Sequence, residues 1–354
     1  MSTAEISPQT DAAPGFESAA LFTSVEEEYA ALRGGAGIVD RSARLRLLVG
    51  GAQAQETITG LVTNDVAALR PGAGQYAAAL TAKGKIIADV RIFSRSEDLL
   101  LDVPAAAAGG FMAMIRKYVN PRLARYADVS AILRTVGVFG PRAHSVVGSV
   151  LAAEGAPEAA VAALRGLADH HHSAFNFGGA NLFVARAPDL GGEGFDVFAP
   201  VELAGTLWAR LVHAGGTQVG RDAAEIARVE AGRPAWGTDM DETTLAQEAN
   251  FDALDGISYT KGCYTGQETV ARVHFRGHVN RILRGVQSAA AIPSGAELFA
   301  GERSVGQMKS SVRSPRLGPI GLAMVRADVA TDTEVTARWD GGETAAHVRA
   351  TPFG

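Results

Sequence analysis

The sequence predicts an α+β protein of two or three domains that ends in a small antiparallel β-barrel. Three observations lead to this prediction. The chain has 354 residues, which is enough for several hydrophobic cores. Residues 75–103 contain three strand-like runs separated by short breaks, a pattern typical of an antiparallel meander. From Arg281 onward the sequence changes to short strand-like runs punctuated by Gly and Pro, as in small barrels.

The composition is that of an ordinary globular protein, with 47% hydrophobic residues, 20% charged residues and a net charge of -5. No basic excess supports nucleic acid or an anionic membrane as a direct partner. No apolar run approaches the ~18 residues of a membrane span, and Met1–Gly15 lacks the features of a signal peptide. We therefore expect a cytoplasmic protein whose residues 1–16 are disordered.

The first domain is expected over residues 17–129. Ser24 to Glu27 has the spacing of a capping box and predicts a helix that continues to about Leu32. A strand, a short helix, the three strands of the meander and a longer helix are predicted in turn at Leu45–Val49, Ala52–Leu61, Gln75–Leu80, Lys85–Ser94, Leu99–Val103 and Ala105–Val119.

Asp89 lies in the middle strand of the meander, on the same face as Ile87, Arg91 and Phe93. A carboxylate among apolar neighbours has two explanations here. It can form a structural ion pair with Arg91, or it can be a functional carboxylate that faces a ligand. The strand pattern favours the ion pair and leaves the functional alternative open.

The second domain is expected over residues 130–280. Its predicted strands are Leu133–Phe139, Asn181–Ala187 and Phe195–Ala199, and its predicted helices are Ala143–Ala153, Glu158–Leu167, Val201–Ala214 and Asp222–Ala231. The irregular loop Trp236–Asp241 either lines a ligand site or is a solvated connector. The barrel, over residues 281–354, is predicted from six runs, Arg281–Gln287, Glu297–Ala300, Ser304–Val312, Gly318–Val325, Glu334–Arg338 and Ala345–Ala350.

Two histidine patterns resemble metal-binding signals, but neither predicts a metal site. His170–His172 are adjacent in the chain, and adjacent histidines in a loop rarely converge on one ion. His274 and His278 have helical spacing, but Gly277 ends the helix between them. We therefore predict no bound metal.

The most unusual stretch is Lys261–Glu268, which contains the only cysteine. One cysteine excludes an intramolecular disulfide, and it cannot by itself supply the four ligands of an iron–sulfur cluster. Thr265 and Glu268 have capping-box spacing, which predicts a helix from Gly266 with Thr265 as its N-cap. Cys263 would then lie near the positive end of the helix dipole, and Lys261 would add a cation that favours the thiolate. The alternative is an inert, packed cysteine.

Together with Phe251–Leu254 and Thr269–Arg272, this stretch resembles the signature of the folate-binding YgfZ family, whose members are related to the glycine-cleavage T-protein, an aminomethyltransferase. Two further segments are similar to parts of that superfamily, Leu61–Val66 and Arg228–Gly232. Gly84–Asp89 resembles a T-protein stretch that ends in two adjacent aspartates, with Ala88 in place of the first.

The resemblance implies three domains in a ring around a central folate site, with the first two domains interlaced. It implies tetrahydrofolate as cofactor and a role in assembling or repairing iron–sulfur proteins, with indirect effects on tRNA modification. Iron–sulfur proteins or assembly factors would be partners of a monomer. The catalytic residues would be Cys263, Asp89 and Lys261. The folate-binding residues would be Asn64, Asp89, Glu193, Arg228, Tyr264 and Gln267.

Two other functions remain open at this point. The protein could be a folate-dependent aminomethyltransferase in which Asp89 acts on the amine nitrogen, although Ala88 in place of the first aspartate argues against it. It could also be a non-catalytic scaffold that uses folate as a structural ligand. Glu193 is itself displaced by one position, because Gly192 stands where the resemblance places the pterin-binding glutamate.

Overall fold

The computed structural model describes residues 19–354, so the disorder predicted for residues 1–16 lies outside the described residues. The helices are α1 Val25–Gly34, α2 Ala54–Thr59, α3 Ala108–Tyr118, α4 Ala143–Ala153, α5 Glu158–Ala163, α6 Val201–His213, α7 Arg221–Glu230 and α8 Gln267–Arg276. The strands are β1 Gly37–Asp40, β2 Arg44–Gly50, β3 Gly74–Leu80, β4 Ile86–Ser94, β5 Asp98–Pro104, β6 Arg125–Asp128, β7 Leu133–Phe139, β8 His172–Phe177, β9 Ala180–Arg186, β10 Gly194–Pro200, β11 Thr217–Val219, β12 Arg281–Ser288, β13 Glu297–Ala300, β14 Arg303–Ser314, β15 Gly318–Arg326, β16 Glu334–Trp339 and β17 Gly342–Arg349.

The first sheet contains the predicted meander. Its five strands have the order β3-β4-β5-β2-β6, and every neighbouring pair is antiparallel. Alternating apolar residues of these strands pack with α2 and α3 into one core, whose fully buried members include Leu47, Ile92, Leu101 and Phe111. β6 was not predicted, because only one of its four residues is even half-buried and so the strand lacks an apolar pattern.

The second sheet draws strands from two distant parts of the chain. Its order is β11-β1-β7-β10-β9-β8, so β1 pairs with β7 although the whole first sheet lies between them in sequence. β1 also forms the one parallel pair of the sheet, with β11. Because α1 and β1 belong to this layer, the two sheet-containing domains are interlaced.

The chain ends in a closed antiparallel barrel, as the sequence predicted. The strand order around the barrel is β12-β15-β14-β13-β16-β17, and closure pairs β12 with β17. The barrel has its own apolar core, which includes Leu298, Val325 and Val348. Within residues 19–354, no helix has both the length and the apolar character needed to cross a membrane.

Candidate functional site

Two adjoining cavities lie where the sheet-containing domains face each other. The small cavity, of about 180 Å³, is lined by residues of β2, β3 and β4, by the segment after β9, and by α7 with the segment after it. The large cavity, of about 700 Å³, is lined by residues of β3, by the segment before β8 and by residues 253–260. Tyr76 and Arg233 line both cavities, so the two spaces meet at these side chains.

Asp89 lies on the wall of the small cavity, where β4 presents it. Only 7% of its surface is exposed, and its Oδ1 atom has no hydrogen-bond partner. Burial raises the pKa of this carboxyl group, while the nearby Arg44 guanidinium and the Tyr76 hydroxyl act to lower it. The prediction that Asp89 forms a structural ion pair with Arg91 is wrong. Asp89 faces the cavity instead.

Arg91 is held by three other carboxylates. Its guanidinium pairs with Asp102 of β5 and with Asp196 of β10, and it lies 3.2 Å from Asp189. The charges of these aspartates raise the pKa of Arg91 well above its usual value, outweighing the opposing effect of burial. Because Asp102 and Asp196 belong to different sheets, this ion-pair network joins the two domains beside the small cavity.

Asp189 completes the same network from the segment after β9. Its carboxylate lies 2.5 Å from Arg41, and both residues line the small cavity. Burial acts to raise the pKa of Asp189, but Arg41, Arg91 and Arg233 hold it well below its usual range. Asp189 is therefore an ionised, paired wall residue and differs from the unpaired Asp89.

The predicted folate ligand Arg228 also lines the small cavity, but its guanidinium is fully used. It pairs with Glu225 and, at 2.7 Å, with Asp239, and it donates to the Ser310 hydroxyl of the barrel at 2.7 Å. Arg228 therefore ties α7 to the third domain. The neighbouring Arg233 has no carboxylate oxygen within 4.0 Å in residues 19–354.

Four buried polar atoms in residues that line the two cavities have no hydrogen-bond partner. They are Asp89 Oδ1, Trp236 Nε1, Gln75 Nε2 and His170 Nδ1. Buried polar atoms are almost always satisfied in folded proteins, because an unmet donor or acceptor costs about 1–3 kcal/mol. Their concentration around one space indicates a site built to receive a polar ligand.

His170 and Tyr76 form an aromatic wall of the large cavity. Their rings stack with centroids 6.0 Å apart and an interplanar angle of 16°. Burial lowers the pKa of His170 to about 3, so the imidazole is neutral at physiological pH. His170 itself has a left-handed backbone, with φ 65°, and the chain enters β8 two residues later. The histidine tract therefore ends in a strand.

Asn64, another predicted folate ligand, does line the large cavity. Its side-chain amide donates to the carbonyl oxygens of Tyr76 at 3.0 Å and Asp255 at 2.7 Å. Its Oδ1 accepts from the backbone of Asp65. Asn64 thus shapes the cavity by joining two of its backbone segments.

The loop around Cys263 differs from its prediction at the start of the helix. α8 begins at Gln267, its N-cap is Gly266 in a left-handed conformation with φ 85°, and no side chain caps it. The prediction of Thr265 as N-cap is wrong. A Cβ atom at position 266 would lie 2.6 Å from the Thr81 carbonyl oxygen, so the chain makes its turn at this glycine.

Lys261 is buried and turned toward α2. Its ammonium donates to the carbonyl oxygens of Thr59, Val62 and Asn64, the last two at 2.7 and 3.0 Å. Burial lowers the pKa of this amine to about 8. Because an ammonium has three N–H donors, these three carbonyls account for all of them.

Cys263, Tyr264 and Gln267 do not line either cavity. Cys263 is exposed, although Thr260, three residues earlier, lines the large cavity. Tyr264 is buried in a core cluster, and burial raises the pKa of its hydroxyl to about 12. Gln267 accepts a hydrogen bond of 3.4 Å from the Tyr264 backbone. In the described chain, no group of three or more His, Cys, Asp or Glu residues could hold a metal ion.

Glu193 lies outside both cavities, in the turn before β10. Its Oε1 atom is buried without a partner, and its carbonyl oxygen accepts from Gly140. Sequence reasoning did not single out the cavity-lining residues Tyr76, Asp189 and Arg233, and it considered His170 only as part of a possible metal tract. Trp236 carried a signal, since its loop was a candidate ligand-lining segment. The others are brought together only by the fold.

Comparisons with known proteins point to one family. The sequence-family model of the GCVT N-terminal domain matches residues 7–255. The family model of the glycine cleavage T-protein C-terminal barrel domain matches residues 281–353. An aminomethyltransferase of Geobacillus kaustophilus is 30% identical, with 89% of this chain and 86% of that protein covered. An aminomethyltransferase of Nostoc sp. is 28% identical, with coverages of 89% and 84%.

One solved structure has the same fold over nearly the whole chain. It is the glycine cleavage system aminomethyltransferase T from Bartonella henselae, with a TM-score of 0.81 and 23% sequence identity. The match covers 93% of this chain and 89% of that one.

Proposed function

We propose that this chain, which belongs to the T-protein/aminomethyltransferase superfamily, binds a reduced folate in the large cavity and transfers a one-carbon unit to it from an amine held at Asp89. One observation carries the proposal. Asp89 is a buried carboxylate with an unpartnered oxygen, and it faces a small cavity that shares the lining residues Tyr76 and Arg233 with a larger one. The resemblance to the YgfZ family within this superfamily remains a prediction.

The large cavity suits a folate in size and in chemistry. Its volume of about 700 Å³ is typical of pockets that hold small molecules and cofactors. Tyr76, His170 and Tyr259 offer aromatic surface to a flat heterocycle. The unpartnered Nε2 of Gln75 and Nδ1 of His170 can bond to the polar edge of a pteridine.

Asp89 has the properties that amine chemistry requires. A carboxyl group with a raised pKa is a better base than an exposed aspartate, and in its ionised form it attracts a protonated amine. The ion pairs of Arg91 with Asp102 and Asp196 hold β4 in place. They also occupy Arg91, so that it does not form a competing ion pair with Asp89. A bound reduced folate supplies the acceptor for the one-carbon unit.

The test is turnover by wild type and by Asp89→Asn. Protein, tetrahydrofolate and an aminomethyl donor are incubated, and methylene-tetrahydrofolate is measured. We expect Asp89→Asn to lower kcat/KM by about 10²- to 10⁴-fold and to change the Kd for folinic acid by less than about threefold. Glu302→Gln, in an exposed barrel residue, is the matched control. No product at high enzyme concentration, or equal turnover by both proteins, would overturn the proposal.

A second candidate function is an accessory role in iron–sulfur protein assembly or repair, with folate bound in the same cavity. It is favoured by Cys263, an exposed and solitary thiol three residues beyond the cavity-lining Thr260. The thiol would act on iron–sulfur proteins or assembly factors. In a deletion strain, this role predicts that Cys263→Ala fails to restore iron–sulfur enzyme activity. Cys263→Ser is the folding control and should fold normally. Full restoration by Cys263→Ala would exclude it.

A further inference from the structure

The small cavity has a positively charged wall in which most charges are already paired. Five arginines and two aspartates line it. Arg41, Arg44 and Arg91 pair with aspartates of the interdomain network, and Arg228 pairs with Glu225 and Asp239. Two lining charges of opposite sign are left without an ion pair among residues 19–354. They are the guanidinium of Arg233 and the carboxylate of Asp89.

Arg233 is fixed in position even though its side chain is unpaired. Its backbone N–H donates to the Arg228 carbonyl oxygen at 3.2 Å, and its own carbonyl oxygen accepts from the Arg228 guanidinium. Gly232 before it has φ 67°, and a Cβ atom there would lie 2.4 Å from Thr351 Cβ. The turn is therefore locked against the C-terminal segment, and it presents Arg233 where the two cavities meet.

Trp236 adds a neutral donor to the same wall. Its Nε1–H is buried and has no partner. An indole N–H can only donate, so it requires an acceptor from a ligand. Asp89 Oδ1 requires the opposite, because an ionised carboxylate can only accept. The cavity thus presents one cation and one N–H donor for an anion, and one carboxylate for a cation.

We propose that the small cavity binds a small amino acid zwitterion, with its carboxylate on Arg233 and Trp236 and its amine on Asp89. Asp89 is buried, and a buried charge is costly unless it is paired. Arg233 is half-buried and has no carboxylate oxygen within 4.0 Å in residues 19–354, so this ligand supplies a counter-charge to each group. The volume of about 180 Å³ corresponds to roughly six water molecules, which suits a small amino acid. This inference rests on the proposed function and names its substrate class, a small amino acid whose nitrogen carries the one-carbon unit at the methylene oxidation level. Transfer breaks the bond between that carbon and the amino acid nitrogen, forms bonds to the folate and releases the free amine, so no oxidant is needed. N-methylglycine serves below only as a binding probe.

The competing use of Arg233 is to bind a carboxylate of the folate itself, because Arg233 also lines the large cavity. The two uses predict different effects of the same substitution. If Arg233 binds the amino acid, its loss weakens amino acid binding and spares folate binding. If it binds folate, the effects are reversed.

The experiment is calorimetric titration of glycine, N-methylglycine, methylamine and acetate into the full-length protein, with and without saturating folinic acid. We expect N-methylglycine to bind about tenfold or more tightly than methylamine or acetate. Arg233→Gln should weaken N-methylglycine binding by about tenfold or more, which corresponds to about 1.4 kcal/mol, and should change the Kd for folinic acid by less than about threefold. Arg303→Gln, in an exposed pair on the barrel, is the control.

Equal binding of methylamine and N-methylglycine would overturn the zwitterion site, as would an Arg233→Gln protein that loses only folinic acid. Binding of N-methylglycine without any binding of folinic acid would refute the folate proposal and still support the zwitterion site. Arg233→Lys keeps the charge and should retain part of the affinity. Thermal midpoints of both variants check that they fold, as expected for a side chain with no carboxylate oxygen within 4.0 Å in residues 19–354.

Discussion

The small cavity and the Cys263 loop place their polar groups in opposite ways. In the loop, the three N–H groups of the Lys261 ammonium donate to three carbonyl oxygens. The Thr265 N–H donates to the Gly60 carbonyl oxygen at 3.1 Å. In the cavity, Asp89 and Trp236 keep buried atoms without partners. The loop is therefore a satisfied structural element that carries an exposed thiol, whereas the cavity wall is incomplete without a ligand.

The two regions are nevertheless connected. Lys261 fastens the loop to the end of α2 and to the backbone of Asn64, which lines the large cavity. Ser258, which also lines that cavity, donates from its backbone to the Thr63 carbonyl oxygen at 3.0 Å. The Lys261–Glu268 stretch thus stabilises the wall of the large cavity through hydrogen bonds.

The largest expected effect tests whether the loop is structural. Lys261→Met removes three charge-assisted hydrogen bonds and leaves buried carbonyl oxygens unmet, so we expect a loss of about 3 kcal/mol in the free energy of unfolding. Cys263→Ser, at an exposed side chain two residues away, should change it by less than about 0.5 kcal/mol. Urea titration measures both. Equal midpoints for Lys261→Met and wild type would refute the structural assignment.

The prediction of intermediate size tests whether burial of His170 in the cavity wall disfavours protonation of its imidazole. The pKa of His170 is lowered in the folded state, so the unfolded chain binds more protons between about pH 6.5 and pH 3. This contribution to stability is complete above the unfolded pKa and is lost as the pH falls. Between pH 7.5 and pH 5, the free energy of unfolding of the wild type should fall by about 2 kcal/mol more than that of His170→Asn.

Asparagine is the appropriate replacement because it tolerates the left-handed backbone at this position. Urea titrations at pH 7.5 and pH 5 give the difference. Parallel losses in the two proteins would show that His170 titrates normally and is not buried as described.

The sequence was sufficient for the parts of the molecule that depend on local pattern. The meander and the barrel were predicted because alternation and turn residues are local signals. The position of Asp89 on its strand was also predicted, but the ion pair with Arg91 that the strand pattern favoured was wrong. Arg91 is drawn to Asp102 and Asp196, which come from other strands and another domain. Strand geometry alone could not reveal those partners.

The same limit applies to the candidate site. Tyr76, His170 and Arg233 are far apart in the chain, and no spacing rule connects them. The capping box at Thr265 failed for a different reason. The left-handed turn at Gly266 depends on packing against Thr81, a contact that is invisible in the motif. Predicted residues that do line the cavities, Asn64, Asp89 and Arg228, came with the segments that resemble the superfamily.

The smallest expected effect sharpens the comparison most, because it asks whether the unpaired carboxylate costs stability. The pKa of Asp89 is raised in the folded state, so ionisation opposes folding. The stabilising contribution of the protonated form is complete below the unfolded pKa of about 3.9 and is lost as the pH rises through the folded pKa. Asp89→Asn removes the ionisable group, and the free protein should therefore gain about 1 kcal/mol at pH 7.

The gain should shrink as the pH falls below the raised pKa of Asp89, and it should vanish near the unfolded pKa. Thermal melts of wild type and Asp89→Asn across this pH range measure it. An exposed carboxylate gives the control, since Glu302→Gln should leave the midpoint unchanged at every pH. A variant that gains stability while losing turnover would mean that Asp89 is kept for its chemistry. If Asp89→Asn instead destabilised the protein at pH 7, the carboxylate would have a structural partner, and the contrast with the Cys263 loop would fail.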